Sequence, residues 1–142
     1  MKTGRIYVDT SAYLSLLLGE GPSTKIESLL RDKMACSSIL LLIETERNLV
    51  RLAREKNISP KNHAVALNQL KEDRELMILR DMNIDLCLTG EFPAVYTPKT
   101  SDLIHLRTAR WFAQNGALEG FLSLDVHQCL AARDFGLVVI EV

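Results

Sequence analysis

The sequence is poor in cysteine and lacks the cysteine patterns of a metal site or a disulfide framework. Its three cysteines, Cys36, Cys87 and Cys129, form no Cys-x-x-Cys pair and no cysteine–histidine cluster with zinc-site spacing. Structural disulfides belong to oxidising compartments, so we expect a protein of the reducing cytoplasm.

Long apolar runs are also missing. The longest uninterrupted run, residues 39–43, is far shorter than the ~20 residues that cross a bilayer. The first 20 residues combine a basic start with an apolar stretch, but Asp9, Thr10 and Ser11 interrupt it and residues 19–22 form no small-residue cleavage signal. We therefore expect no membrane association and no targeting segment.

Neither sign of charge dominates. The chain has 17 Lys and Arg against 18 Asp and Glu, a formal net charge of −1. This balance excludes a protein that coats nucleic acid by charge alone, but it is compatible with an enzyme that grips nucleic acid locally. The 142 residues, 47% of them hydrophobic, suffice for one domain with a buried core.

Short apolar segments alternate with helical patterns along the whole chain. Strands are predicted at 6–8, 34–36, 120–124 and 137–140, with weaker strand signals at 78–79 and in the alternating stretch 84–88. Helices are predicted at 11–18, 24–30, 39–56, 60–77, 102–112 and 126–134. This alternation predicts a three-layer α/β fold, a central and mostly parallel sheet flanked by helices, in a single domain spanning 1–142.

Local signals mark several element ends. Thr24 and Glu27 have the spacing of a capping box, and Ser38 is a candidate cap for the long helix that follows it. Ser59-Pro60 is typical of a cap followed by proline at the first helical position. Gly90, Pro93 and Pro98 predict a loop.

Four carboxylates stand at positions that a parallel sheet would bring together. Asp9 and Asp125 each follow an apolar strand, and ligands of such sheets bind beyond the carboxyl ends of the strands. Asp102 begins a helix. Glu44 directly follows the apolar run 39–43, so we expect it to be partly buried and to need a partner.

Clustered carboxylates without cysteine or histidine ligands suit a hard divalent cation such as Mg²⁺ or Mn²⁺, and such a site suits phosphodiester hydrolysis. The aspartates also have an ordinary structural explanation. An aspartate after a strand is commonly a helix cap, and one near a helix start is favoured by the helix dipole.

Around these residues the sequence resembles the PIN-domain nucleases, and in particular the VapC-like toxins of toxin–antitoxin pairs. The matching segments follow the family's order and span nearly the whole chain: IYVDTSAYLSLLL at 6–18, SSILLLIETERNL at 37–49, KTSDLIHLRTARWF at 99–112 and FLSLDVHQCLAARDFGLVVI at 121–140. One departure is the segment 86–100, which contains glycine and two prolines where relatives have a helical segment.

The resemblance implies a metal-dependent endoribonuclease with Mg²⁺ or Mn²⁺ as cofactor, RNA as substrate, a homodimer and a cognate antitoxin protein as partner. It implies 5′-phosphate and 3′-hydroxyl products. The family's acidic residues correspond to Asp9, Glu44, Asp102 and Asp125, with Ser11 and Ser123 as supporting hydroxyls. The alternative is a PIN-like module that binds RNA or protein without catalysis. A different acidic α/β enzyme is less well matched, because a haloacid-type phosphatase needs an aspartate where Ser11 stands.

Basic residues near these motifs are candidate RNA contacts: Lys99, Arg47, Arg51 and Arg107. The arginines are equally well explained as members of solvated helix faces. His105, between Ile104 and Leu106, is better explained as a helix-packing residue than as a substrate contact. Tyr13, with Leu14, Leu17 and Leu18, is predicted to be a core residue and is also a candidate for a dimer face.

Overall fold

The computed structural model describes residues 2–96 and 99–142. The chain forms, in order, β1 (Arg5–Val8), α1 (Thr10–Leu18), α2 (Ser23–Leu30), β2 (Met34–Ser38), α3 (Leu40–Arg54), α4 (Pro60–Leu76), β3 (Ile78–Arg80), α5 (Ile84–Leu88), α6 (Thr100–Gln114), β4 (Leu118–Leu122) and α7 (Val126–Asp134). The predicted three-layer α/β architecture is confirmed.

The four named strands form one parallel sheet in the order β3-β2-β1-β4. From β1 the chain proceeds outward on one side through β2 and β3, and β4 then pairs with the other side of β1. The strand order therefore reverses between β1 and β4. Parallel sheets bind ligands at such a switch point, beyond the carboxyl ends of the strands.

Successive residues of the central strand face opposite sides of the sheet and belong to two different cores. Tyr7 packs with Leu106, Phe112 and Phe121 on the α6 side, where its ring stacks on Phe121 at 5.3 Å between centroids. Ile6 and Val8 belong to the opposite core, where they pack with Ala12, Tyr13, Ile26, Leu41 and Leu122. Both faces of the sheet are thus covered, as a parallel sheet requires.

One of the three predicted caps is confirmed, the one at Ser59. Ser59 accepts a hydrogen bond from the Asn62 N–H at 3.1 Å and caps α4. Ser38 is not the N-cap of α3, because that position is Ile39, but the Ser38 hydroxyl accepts a hydrogen bond from the Leu40 N–H at 3.1 Å. The capping box at Thr24 does not form, because α2 begins at Ser23, after Pro22, and Thr24 lies within its first turn.

The predicted strand at 84–88 is wrong, since these residues form the short helix α5. Asn83 caps this helix through a hydrogen bond from the Leu86 N–H. Ile84 and Leu88 are exposed, whereas Leu86 is buried. Residues four apart share a helix face and the residue between them lies opposite, so alternation over five residues fits a short helix as well as a strand.

The predicted final strand at 137–140 is also wrong. Val139 forms only an isolated parallel bridge with Phe121, whose backbone bonds the Val138 carbonyl and the Ile140 N–H. Two hydrogen bonds to one residue tie the segment to the sheet edge without making a strand. β4 itself begins two residues before its predicted start and ends at Leu122, so Ser123 and Leu124 separate it from Asp125.

Residues 89–96 contain neither helix nor strand, as the loop prediction at Gly90 and Pro93 expects, while Pro98 lies outside the described residues. In the described ranges 2–96 and 99–142, no helix is both long and apolar enough to cross a membrane. Tyr13 is buried beneath α4 and donates to Asp73. The prediction of Tyr13 as a core residue is confirmed, and its inclusion in an exposed dimer face is wrong.

Candidate functional site

One cleft of about 610 Å³ opens at the carboxyl edge of the sheet, where the strand order reverses. All four carboxylates singled out in the sequence line it: Asp9, Glu44, Asp102 and Asp125. Asp9 follows β1, and Asp125 lies just beyond β4. Glu44 comes from α3, and Asp102 from the first turn of α6. Four segments that are far apart in the chain therefore contribute acidic side chains to one surface.

Asp9 is the most buried of these carboxylates and is 5% exposed. Its Oδ1 accepts hydrogen bonds from the Ser11 hydroxyl at 2.7 Å and from the Ala12 N–H at 3.1 Å, so it caps α1. Burial raises the pKa of Asp9, although hydrogen bonds from Ser123 and Ser11 oppose the shift. A cation or a proton near this carboxylate would relieve the cost of burying its charge.

Ser11 and Ser123 join the ends of β1 and β4. The Ser11 hydroxyl donates to Asp9 and accepts from the Leu124 N–H at 2.9 Å. It also lies 3.3 Å from the Ser123 hydroxyl. Ser123 in turn accepts from the Asp125 N–H at 3.1 Å. These contacts set the relative position of Asp9 and Asp125 across the switch point.

Asp125 and Asp102 both bind the starts of helices with one oxygen. Oδ1 of Asp125 accepts from the His127 N–H at 2.9 Å and from the Gln128 N–H at 3.3 Å and so caps α7. Oδ2 of Asp102 accepts from the Lys99 N–H at 3.1 Å at the start of α6. The structural explanation offered for each aspartate is therefore correct, and each aspartate also borders the cleft.

Glu44 is half-buried and has the partners that its position after an apolar run led us to expect. Its Oε1 lies 2.7 Å from His105 Nε2 and accepts a hydrogen bond from the Thr10 hydroxyl at 2.8 Å. Burial alone would raise the pKa of Glu44, but the hydrogen bonds from His105 and Thr10 hold it below its ordinary value. Glu44 is therefore a carboxylate at neutral pH.

His105 is the residue at the cleft whose role the sequence did not reveal. It is 2% exposed and packs against Tyr7, as a helix-packing histidine should. Both of its ring nitrogens also make hydrogen bonds, one to Tyr7 and the other to Glu44. The spacing of Tyr7, Glu44 and His105 along the chain gives no sign of this connection, because it exists only once β1, α3 and α6 pack together.

The candidate RNA-contacting cations occupy three different surroundings. Lys99 and Arg47 line the cleft beside the carboxylates. Arg51 borders an adjoining depression and pairs with Glu55 at 3.2 Å. Arg107 donates to the Thr89 carbonyl at 2.8 Å and so supports the loop after α5. Of the four, Lys99 and Arg47 are the ones that share a surface with the carboxylates.

The chemistry of this site suits a hard cation. Every acidic donor is a carboxylate oxygen, which is the ligand type that Mg²⁺ and Mn²⁺ prefer. Within residues 2–96 and 99–142, no three acidic, histidine or cysteine side chains are grouped closely enough to bind a metal by themselves. Mg²⁺ commonly takes only one or two carboxylates and completes its shell with water and substrate phosphate. The residues present therefore fit such an ion bound together with its substrate.

Comparisons with known proteins identify no family for this chain. No protein-family model matches it, and no curated protein is significantly similar. The resemblance to PIN-domain nucleases therefore stays a prediction from the quoted motifs.

Proposed function

We propose that the chain is an endoribonuclease dependent on Mg²⁺ or Mn²⁺, and that it acts as the toxin of a type II toxin–antitoxin pair. The observation that supports the proposal is that all four motif carboxylates line one cleft with Lys99 and Arg47. An acidic centre flanked by cations matches the needs of a phosphodiester substrate, which is anionic and needs its developing charge neutralised.

Each side chain then has a defined part. One or two of Asp9, Asp102 and Asp125 would hold the ion through the oxygens that do not cap helices, with Glu44 beside them and with water and the substrate phosphate as the remaining ligands. A divalent ion held there would activate the attacking water and would neutralise negative charge on the phosphate. Ser11 fixes the orientation of Asp9. Lys99 and Arg47 attract the phosphates on either side of the bond to be cut.

The net reaction adds water across one phosphodiester bond. The water oxygen bonds to phosphorus, and the bond from phosphorus to the 3′ oxygen breaks. One proton of the water finally resides on that 3′ oxygen. The products are a 3′-hydroxyl and a 5′-phosphate, as the resemblance implies.

Replacing Asp9 by asparagine separates the proposed chemistry from the helix cap. Asparagine caps helices about as well as aspartate, so we expect Asp9→Asn to keep the thermal stability of the parent. We expect it to lose at least about 100-fold in the rate of Mn²⁺-dependent RNA cleavage, on the scale of other lost charge-stabilising groups. Cleavage of a labelled RNA by the full chain, with and without EDTA, measures this rate.

Asp32→Asn is the matched control, because Asp32 is exposed before β2, at the opposite edge of the sheet. It removes the same charge and should cleave at the parental rate. An Asp9→Asn variant that cleaves RNA as fast as the parent would exclude the proposed site.

The toxin assignment and the cognate antitoxin rest on the resemblance, as do the homodimer and the cytoplasmic location. A short open reading frame for a DNA-binding protein beside this gene would support a toxin–antitoxin pair. Expression of the chain alone should then arrest growth, co-expression of the neighbour should relieve the arrest, and Asp9→Asn should cause none.

A non-catalytic RNA- or protein-binding module is the alternative, and one observation favours it. Asp9, Asp102 and Asp125 each use one oxygen to bind a helix start, which is sufficient reason for their presence. Such a module would bind RNA in EDTA as tightly as in Mg²⁺ and would leave the RNA intact.

A further inference from the structure

Three side chains from three different elements form a continuous hydrogen-bonded chain that ends at the cleft. Tyr7 Oη on β1 lies 2.6 Å from His105 Nδ1 on α6. His105 Nε2 lies 2.7 Å from Glu44 Oε1 on α3. Tyr7 has no exposed surface and His105 almost none, whereas Glu44 lines the cleft. A change at Tyr7 can therefore reach the cleft through His105.

The positions of the protons in this series of hydrogen bonds follow from which atoms can donate and which can only accept. The Ser38 N–H donates to Tyr7 Oη at 3.2 Å. A tyrosine phenol carries its proton at neutral pH, so Tyr7 has one O–H to donate. Because the Ser38 N–H already donates to Tyr7 Oη, we assign the Tyr7 O–H as the donor to His105 Nδ1. A carboxylate oxygen only accepts hydrogen bonds, so at the 2.7 Å contact with Glu44 Oε1 the proton belongs to His105 Nε2.

Thr10 completes the same arrangement. Its hydroxyl donates to Glu44 Oε1 at 2.8 Å, and its oxygen lies 3.2 Å from His105 Nε2. Glu44 Oε1 thus receives two hydrogen bonds, one of them from the residue that directly follows Asp9. The other carboxylate oxygen of Glu44 is then directed by these two bonds. Hydrogen bonds to a charged acceptor are about twice as strong as those between neutral groups.

We infer that His105 is a positioning residue that holds the Glu44 carboxylate toward the cleft, and that Tyr7 fixes His105 in the tautomer with its proton on Nε2. The inference rests on the proposed function, because it assigns Glu44 to the acidic centre. The three residues connect the central strand with the helices on either side of the cleft. They therefore make the direction of Glu44 depend on the packing of the core.

Tyr7→Phe tests the inference with the least disturbance of packing, because it removes one buried hydroxyl and keeps the ring. We expect Mn²⁺ affinity and the cleavage rate to fall about 10-fold or more, within the 10- to 100-fold range for residues that orient metal ligands. Tyr13→Phe is the matched control. It also removes a buried hydroxyl, which donates to Asp73 at 2.7 Å on the opposite side of the sheet, and should leave both quantities unchanged.

His105→Gln and His105→Met extend the test to the histidine itself. Glutamine keeps an N–H donor of similar reach, whereas methionine of similar length has none. We expect His105→Gln to retain a measurable share of the parental rate and His105→Met to lose it. Circular dichroism and thermal unfolding identify any variant that fails to fold. Tyr7→Phe is the variant that we expect to disturb folding least, because it keeps the ring.

Ring-nitrogen NMR of the metal-free chain gives a readout that needs no catalysis. We expect His105 to show one protonated Nε2 and one unprotonated Nδ1, and Tyr7→Phe to shift the Nδ1 signal, because that nitrogen loses its hydrogen-bond donor. A proton on Nδ1 in the parent, or equal effects of Tyr7→Phe and Tyr13→Phe on Mn²⁺ affinity, would overturn the inference. A parent chain that does not cleave RNA would overturn the proposed function alone, because the NMR result does not depend on cleavage.

Discussion

At the scale of single residues, the acidic side chains show why residue type and position do not reveal a role by themselves. Asp9 and Asp125 have the positions and contacts of helix caps. They also line the same cleft. The two descriptions are compatible because a carboxylate has two oxygens, and one suffices for the cap. Substitution by asparagine is therefore the informative change at these positions.

The cysteines allow a test of residue-scale burial. Cys36 has no exposed surface, and its thiol contacts the Ile6 carbonyl. Burial raises the pKa of the Cys36 thiol from 9.0 to about 12, so little thiolate forms. Cys87 is exposed. We expect iodoacetamide to modify Cys87 quickly in the native chain, and Cys36 only after unfolding, as measured by mass spectrometry.

The same thiol predicts a pH dependence of stability. The Cys36 thiol keeps its proton in the folded chain at pH values where the unfolded chain has released it. The free energy of unfolding should therefore fall as the pH rises from about 9 toward 12. Urea unfolding should show a smaller loss in Cys36→Ala than in the parent, since the buried Tyr7 adds a loss of the same sign in both, and no such contribution at pH 7. Alkylation of Cys36 at the rate of Cys87 in native buffer would contradict its burial.

At the scale of elements, caps and proline positions marked helix ends better than short hydrophobic alternation marked strands. Ser59-Pro60 marks the start of α4 because both residues act within one turn of the backbone. The strand predicted from the alternation at 84–88 is wrong because five residues do not distinguish a period of two from a short helix. The strand predicted at 137–140 is wrong because hydrophobicity alone does not determine how many backbone hydrogen bonds a segment makes to the edge of a sheet.

The cap of α4 can be tested directly. Ser59→Ala removes the acceptor of the Asn62 N–H, and we expect the free energy of unfolding to fall by about 1 kcal/mol in urea titrations. Ser28→Ala is the control, since Ser28 is exposed within α2 and alanine is the better helix former. A loss at Ser28 equal to that at Ser59 would show that capping is not the cause.

At the scale of the whole molecule, the net charge of −1 conceals an uneven distribution. Without the four cleft carboxylates, 14 acidic residues stand against 17 basic ones, a balance of +3. Four of the 18 acidic residues thus line one cleft, and the rest of the chain is mildly basic. Neutralising that cleft would leave a surface that accepts an anionic polymer.

The cations of the cleft provide the corresponding prediction. In the Asp9→Asn background, which prevents cleavage, we expect Lys99→Ala and Arg47→Ala to weaken RNA binding. Each should reduce the slope of log K against log salt by about 0.7 per lost contact to a single strand. Fluorescence anisotropy at several salt concentrations measures both quantities. Lys25→Ala, an exposed lysine on α2, should change neither, and an equal effect there would indicate unspecific attraction.

The sequence alone determined the three-layer fold, most element boundaries and the set of acidic residues that line the cleft. These properties depend on hydrophobic periodicity, on caps within one helical turn and on the rule that parallel strands end at a common edge. The hydrogen-bond partners of those residues depend on tertiary packing. The bonds from Tyr7 to His105 and from His105 to Glu44 join residues 98 and 61 positions apart in the chain. Their geometry follows from the packing of β1, α3 and α6, which no local pattern encodes.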